Sequence, residues 1–196
     1  MNDIIRPGAG VLFMKVGTHA KEDLAAIIAR KTKEISDTGY AMWGYGGGTC
    51  YPSSMVQPFA QKFAKAGQPI FLCMEAMNSN HFAEQLAAAE YSADNRNWKE
   101  IPPTINVLGS RYALVIRDLR QTDLQLTLDQ TRVGVGPNMG KLGSRYISGR
   151  VDKACLEVLD APERGNEEGV APKERQISLV AELVEPYAVF LRNFRK

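Results

Sequence analysis

The chain has 196 residues, 44% hydrophobic and 23% charged, with a formal net charge of +2. Those proportions exclude a disordered chain, and the longest apolar runs, around Ile70 and Ala113, fall far short of the roughly 20 residues a membrane-spanning helix needs. The amino terminus lacks the basic start and apolar run of a secretory signal, and Cys50, Cys73 and Cys155 form no CxxC pair, which fits a cytoplasmic chain with neither a disulfide framework nor a metal site.

Val11, Leu12, Phe13, Met14 and Val16 predict a buried first strand, ended by Gly17. Thr18 is placed to cap a helix that carries Leu24, Ile27, Ile28 and Ile35 on one face and stops at Gly39. A short strand of Tyr40, Ala41, Met42 and Trp43 follows, then the glycine-rich loop Gly44-Tyr45-Gly46-Gly47-Gly48. Ser53 or Ser54 can cap a second helix with Met55, Phe59 and Phe63 on one side. A third strand is expected over 69–76, with a turn at 78–81. Residues 82–91 suit a helix by alanine content and a strand by position. A polar loop over 92–103 carries Trp98.

Residues 104–108 and 111–117 read as one strand bent at Gly109, and Leu124, Leu126 and Leu128 alternate as a half-buried strand would. Residues 133–150 read as a glycine-rich loop, and 154–159 as a last strand. Pro162, Gly165, Gly169 and Pro172 mark 161–173 as a linker. From 174 to 196 the stripe of Ile177, Val180, Leu183 and Val184 predicts a helical tail, interrupted at Pro186. The expected division is therefore an α+β domain over 1–160, a linker over 161–173 and a tail over 174–196.

Charge is uneven. Residues 109–153 carry eight basic and four acidic side chains, whereas 1–108 balance at ten each. The forked guanidinium groups of Arg111 and Arg145 match phosphate oxygens. Trp43 and Trp98 are the only tryptophans, and Trp98 lies in a loop too polar for an ordinary core residue. Two indoles held a ring's thickness apart would sandwich a flat base or a methylated amine. His19 and His81 are the only histidines and offer a competing reading, a metal-free ribonuclease or phosphodiesterase with one as base and one as acid. The run from Val133 to Lys141 lacks the spacing of a nucleotide-binding phosphate loop, because Leu142 follows the lysine.

The series VLFMKVGTHAKEDLAAII, MWGYGG and PIFLCMEAMNSNHF, followed by a polar loop ending in Trp98, resembles the PUA-like superfamily over roughly residues 10–130. Within it the likeness is to YTH and EVE domains, and Ser79-Asn80-His81-Phe82 is similar to a turn of the YTH family. The resemblance implies a mixed, curved sheet or small barrel with flanking helices. It also implies an aromatic cage for a methylated base, with Trp43 and Trp98 as walls, Tyr45 as a further candidate, and Lys15 as the basic residue ending the first strand. The leading expectation is non-enzymatic recognition of a nucleobase, in nucleic acid or in a nucleotide-like ligand, without a cofactor. Trp43 and Trp98 would stack, Lys15, Arg111 and Arg145 would hold phosphate, and Asn78 or Ser79 would read a base edge. A third reading is a protein that oligomerises through its apolar tail.

Overall fold

The apolar run near the amino terminus becomes β1 (Gly10–His19), and its alternate side chains serve two cores. Leu12, Met14 and Val16 join one cluster, Val11 and Phe13 the other, as a side-chain period of two requires. The structure, a computed structural model, describes residues 3–81, 83–147, 151–163 and 173–195, with Asn80 and His81 described by backbone alone.

β1 runs on through Thr18, which therefore does not cap the first helix. The chain reverses at Ala20 and Lys21, both at positive φ (48° and 64°), and His19 and Glu22 exchange two backbone hydrogen bonds of 2.9 Å. Asp23 then caps α1 (Leu24–Thr38), its carboxylate accepting from the Ala26 amide at 2.8 Å. Beyond Gly39 come β2 (Ala41–Tyr45), a π-turn (Pro52–Val56) and α2 (Gln57–Lys65). β3 (Phe71–His81) absorbs the turn expected at 78–81. A small hairpin of β4 (Glu90–Ser92) and β5 (Lys99–Glu100) holds the Trp98 loop. Residues 104–108 are not a strand. The strand after Gly109 is β6 (Tyr112–Thr127), which merges the two segments expected there. β7 (Thr131–Val133), the single-turn α3 (Gly143–Tyr146), β8 (Lys153–Val158) and β9 (Glu174–Arg192) complete the set.

The fold is α+β with a mixed sheet in the order β2-β6-β9-β3-β1-β8-β7, and β4 and β5 branch from β9. β1 and β3 are parallel; the other pairs are antiparallel. β2 and β7 end this order, and no pairing among the described residues joins them, so the sheet is open where a small barrel was an alternative expectation.

The expected carboxy-terminal helical tail is corrected outright. Residues 174–192 are strand β9, hydrogen-bonded between β6 and β3. Ile177, Leu179, Val180, Ala181 and Leu183 are all buried, the pattern of a strand covered on both faces. The stripe that imitated a helix arises because consecutive buried positions contain any spacing one looks for. Pro186, which cannot donate to a ladder, falls within a bulge: β6 pairs Leu114 with Ala188 and then Ile116 with Leu183. The separate helical tail goes with that expectation, since residues 174–192 pair within the same sheet as β6 and β3. Most of the linker, 164–172, lies outside the described residues.

Candidate functional site

The second half of β1 is one wall of a cavity of about 850 Å³. The facing walls are α1, the end of β2 with its glycine loop, residues 106–111 and residues 151–153. That volume falls within the roughly 300–1,000 Å³ of small-molecule sites. Met14, Val16, Ile27, Trp43, Tyr45 and Val107 give it an apolar floor, and Lys15, Arg30, Lys31, Arg111 and Lys153 are the cations on its walls. Glu22 and Asp152 are the acidic groups that line it.

Local sequence explains each wall. Gly44 of β2 lies against Val107 and Ser110, and a Cβ there would lie 2.4 Å from Ser110 Oγ, so glycine permits the approach. Gly109 turns at φ +54°, where a side chain would also meet Ala83 Cβ at 2.6 Å. Residues 106–108 are fastened to α1 by a buried ion cluster. Lys31 and Glu34 are each 2% exposed, and Lys31 Nζ donates to Glu34 Oε2 at 2.8 Å and to the Asn106 carbonyl at 2.7 Å. Glu34 Oε1 accepts the Asn106 amide at 3.0 Å. Arg30 joins both Glu34 and Glu22. Burial pushes the Lys31 ammonium down to about 8, against the pull of Glu34.

The Tyr45 hydroxyl donates to the Cys50 carbonyl at 2.7 Å and so draws the loop of residues 46–49 into a ring at the cavity mouth. Burial pushes the Tyr45 phenol well up. The Ala20–Lys21 reversal stands beside the same cavity, since His19 and Glu22 line it. Two non-glycine residues in the left-handed region cost roughly 1–2 kcal/mol each, a strain held at the site by the paired strands on either side.

The sequence candidates divide. Trp43, Lys15, Tyr45, Ser79, Arg111 and His19 line the cavity. Lys15 does so although it alternates onto the β1 face of Val11 and Phe13. Asn78 is exposed and lines an adjoining recess of about 540 Å³ that shares Gly17, Thr18, Met77 and Ser79 with the first. Arg145, on α3, does not line it.

Trp98 is also outside it, on the β4–β5 hairpin, where the Arg192 guanidinium lies 4.0 Å from the ring centroid. Trp43 is 4% exposed and packed in the larger core cluster. The two-tryptophan sandwich is therefore corrected: Trp98 has its own cationic partner elsewhere, and Trp43 reaches the cavity with a small part of its ring. Polarity of the Trp98 loop marked a surface hairpin, held by Asp94, which accepts from the Arg96 and Asn97 amides at 2.9 and 2.8 Å.

His19 and His81 are register partners on β1 and β3, but the His81 side chain lies outside the described residues, as does Phe82. His19 Nε2 is 3.0 Å from the Leu108 carbonyl oxygen. A carbonyl only accepts, so this nitrogen carries a proton and holds residues 108–110 in place.

Sequence reasoning missed Lys153, Lys31, Arg30 and Ser110. Lys31 and Glu34, three apart on α1, were a visible signal for an ion pair. Lys153 gave none, because its burial depends on β8 pairing with β1, where Met14 faces it.

No family model matches the chain, and no curated protein or solved structure matches it. Among the described residues no cluster of His, Cys, Asp or Glu could hold a metal ion, and no helix is long and apolar enough to cross a membrane.

Proposed function

We propose that the chain binds a nucleobase-bearing small molecule or nucleic-acid end in this cavity without transforming it. The observation that carries the reading is one enclosure lined by apolar Trp43, Tyr45, Met14 and Val16 and by the cations Lys15, Arg111 and Lys153. A planar heterocycle suits the apolar lining and an anionic substituent suits the cations. Ser79, Thr18 and Asn106 are the polar groups placed to read a base edge. A likeness to base-reading PUA-like domains agrees with this, with one tryptophan in the wall instead of two. The hydrolytic alternative using His19 and His81 is disfavoured by the Leu108 contact, which occupies the very nitrogen of His19 that faces residues 108–110.

Tryptophan fluorescence tests the reading. In a Trp98→Phe variant all emission comes from Trp43. Titration with a panel of plain and methylated nucleosides, nucleotides and short oligonucleotides should quench it, at affinities equal to the parent chain by calorimetry. Trp43→Leu, which removes the aromatic face, should weaken binding about tenfold, from the roughly 1–3 kcal/mol of a base–aromatic contact. Loss of binding in Trp98→Phe, with Trp43→Leu unaffected, would put the ligand on the hairpin and end the proposal. Product formation from the nucleotides would favour the hydrolase.

A further inference from the structure

The glycine loop between β2 and the π-turn is closed at its base by the Tyr45–Cys50 hydrogen bond, and its own amides are not used by that closure. Among the described residues, the amides of Gly46, Gly47, Gly48 and Thr49 donate to no protein acceptor. All four residues line the cavity. A Cβ added at Gly46 or Gly48 would meet nothing within 4 Å, and one at Gly47 would lie 3.9 Å from Lys153 Nζ. Lys153 is only 5% exposed and shares its face of β8 with Cys155, which belongs to the same core cluster as Trp43. Its ammonium thus comes up from beneath the loop. It has three N–H donors, and its one protein partner among the described residues is Asp152 Oδ1 at 2.8 Å.

Successive unpaired amides beside a buried cation are the elements of an anion nest. Burying an ammonium costs free energy unless something charged completes its shell, and the side chain of Asp152 is half exposed and takes one of three donors. We infer that residues 46–49 and Lys153 form a subsite for a tetrahedral oxyanion, a phosphate group, in a cavity that Arg111 also lines. This rests on the proposed base pocket for its biological setting, since the same cavity would then hold base on the Trp43 floor and phosphate under the loop. It replaces Arg145 of the sequence expectation with Lys153. The shared chemistry covers a free phosphate and the phosphate of a nucleotide, and the experiment separates them.

Inorganic phosphate is titrated into isotope-labelled protein while the amide resonances of residues 46–49 are followed, with chloride at matched ionic strength as control. Calorimetry then compares a nucleoside with its 5′-monophosphate. Phosphate should shift the four amides, and the monophosphate should bind at least about tenfold more tightly than the nucleoside, as charge-assisted hydrogen bonds predict. In Lys153→Met both effects should vanish, and Lys153→Arg should restore part of them. Asp152→Asn frees a donor and removes a competing carboxylate, so phosphate should bind more tightly; this gain cannot come from misfolding. Unmoved loop amides in the parent chain, or an undiminished monophosphate preference in a folded Lys153→Met, would overturn the subsite. Phosphate binding with no nucleoside binding would sustain the nest and defeat the base pocket. Nucleoside binding indifferent to phosphate would do the reverse.

Discussion

A lysine ammonium that is 2% exposed must be explained by its neighbours. Lys31 has Glu34 and the Asn106 carbonyl, and these fix residues 106–108 against α1 where they form the cavity wall. Its pKa of about 8, below the ordinary 10.5, means that desolvation outweighs the attraction of Glu34. Below pH 8 the side chain is charged in both folded and unfolded chains. Between about 8 and 10.5 the unfolded chain holds a proton the folded one has released, so stability rises with pH through that window. Urea unfolding at pH 7.5 and 9.5, in the parent and in Lys31→Met, isolates the effect because other titrating groups are common to both. The parent should gain about 2 kcal/mol on the variant between those conditions, at 1.36 kcal/mol per unit. A difference independent of pH would show that Lys31 titrates normally.

At the scale of elements, α1 depends on Asp23 for its start. Its carboxylate accepts the Ala26 amide, one of the donors a first turn leaves unpaired. Asp23→Ala should lower the stability by about 1 kcal/mol, read as a fall in the urea midpoint with unchanged slope, while Thr18→Ala should not produce that cap loss. The sequence pointed to Thr18 because strand β1 was expected to stop at Gly17. It continues because the parallel partner β3 carries extra residues: Val16 pairs with Ala76 but Thr18 with Asn80, and Gly17 sits at the irregularity. Local signals of this kind, apolar runs and helix stops, made β1, α1, β2, α2 and β3 legible within a few residues. Trp43, Tyr45 and Lys15, singled out in the sequence, fall on β2 and β1 and line one cavity with Arg111, which precedes β6. What was not legible depends on partners distant in sequence. Trp98 was assigned to the pocket because nothing near it announces Arg192, which arrives only when β9 pairs with β4. β9 itself was misread because a strand buried on both faces lacks the alternation that identifies a strand.

For the whole molecule, the sheet is assembled around a strand that the chain supplies last. β9 lies between β6 and β3, which share no strand pairing among the described residues, and its far end also holds β4. Remove it, and β2 with β6 part from β3, β1, β8 and β7. Both halves are then left with open ladder groups and stripped apolar faces, among them Leu72, Met74, Leu114 and Ile116, all fully buried now. Unpaired strand edges of that sort favour association between chains. A chain ending at Leu159 should therefore lose its cooperative unfolding transition and its near-ultraviolet circular dichroism, and should aggregate at concentrations where the full chain stays dispersed. Adding residues 173–196 as a separate peptide should restore the near-ultraviolet signal, because main-chain bonds from both β6 and β3 await it, as in other strand-addition complexes. A truncated chain that kept a sharp transition and ran at its own monomer mass would show that β9 is an accessory, and its central place between β6 and β3 would have to be redrawn. The same geometry bears on the cavity. Its walls come from β1, β2, α1 and residues 106–111 that lead into β6, so they belong to both halves of the sheet that β9 joins. Ligand binding should accordingly disappear in the truncated chain and return with the peptide, in step with the near-ultraviolet signal.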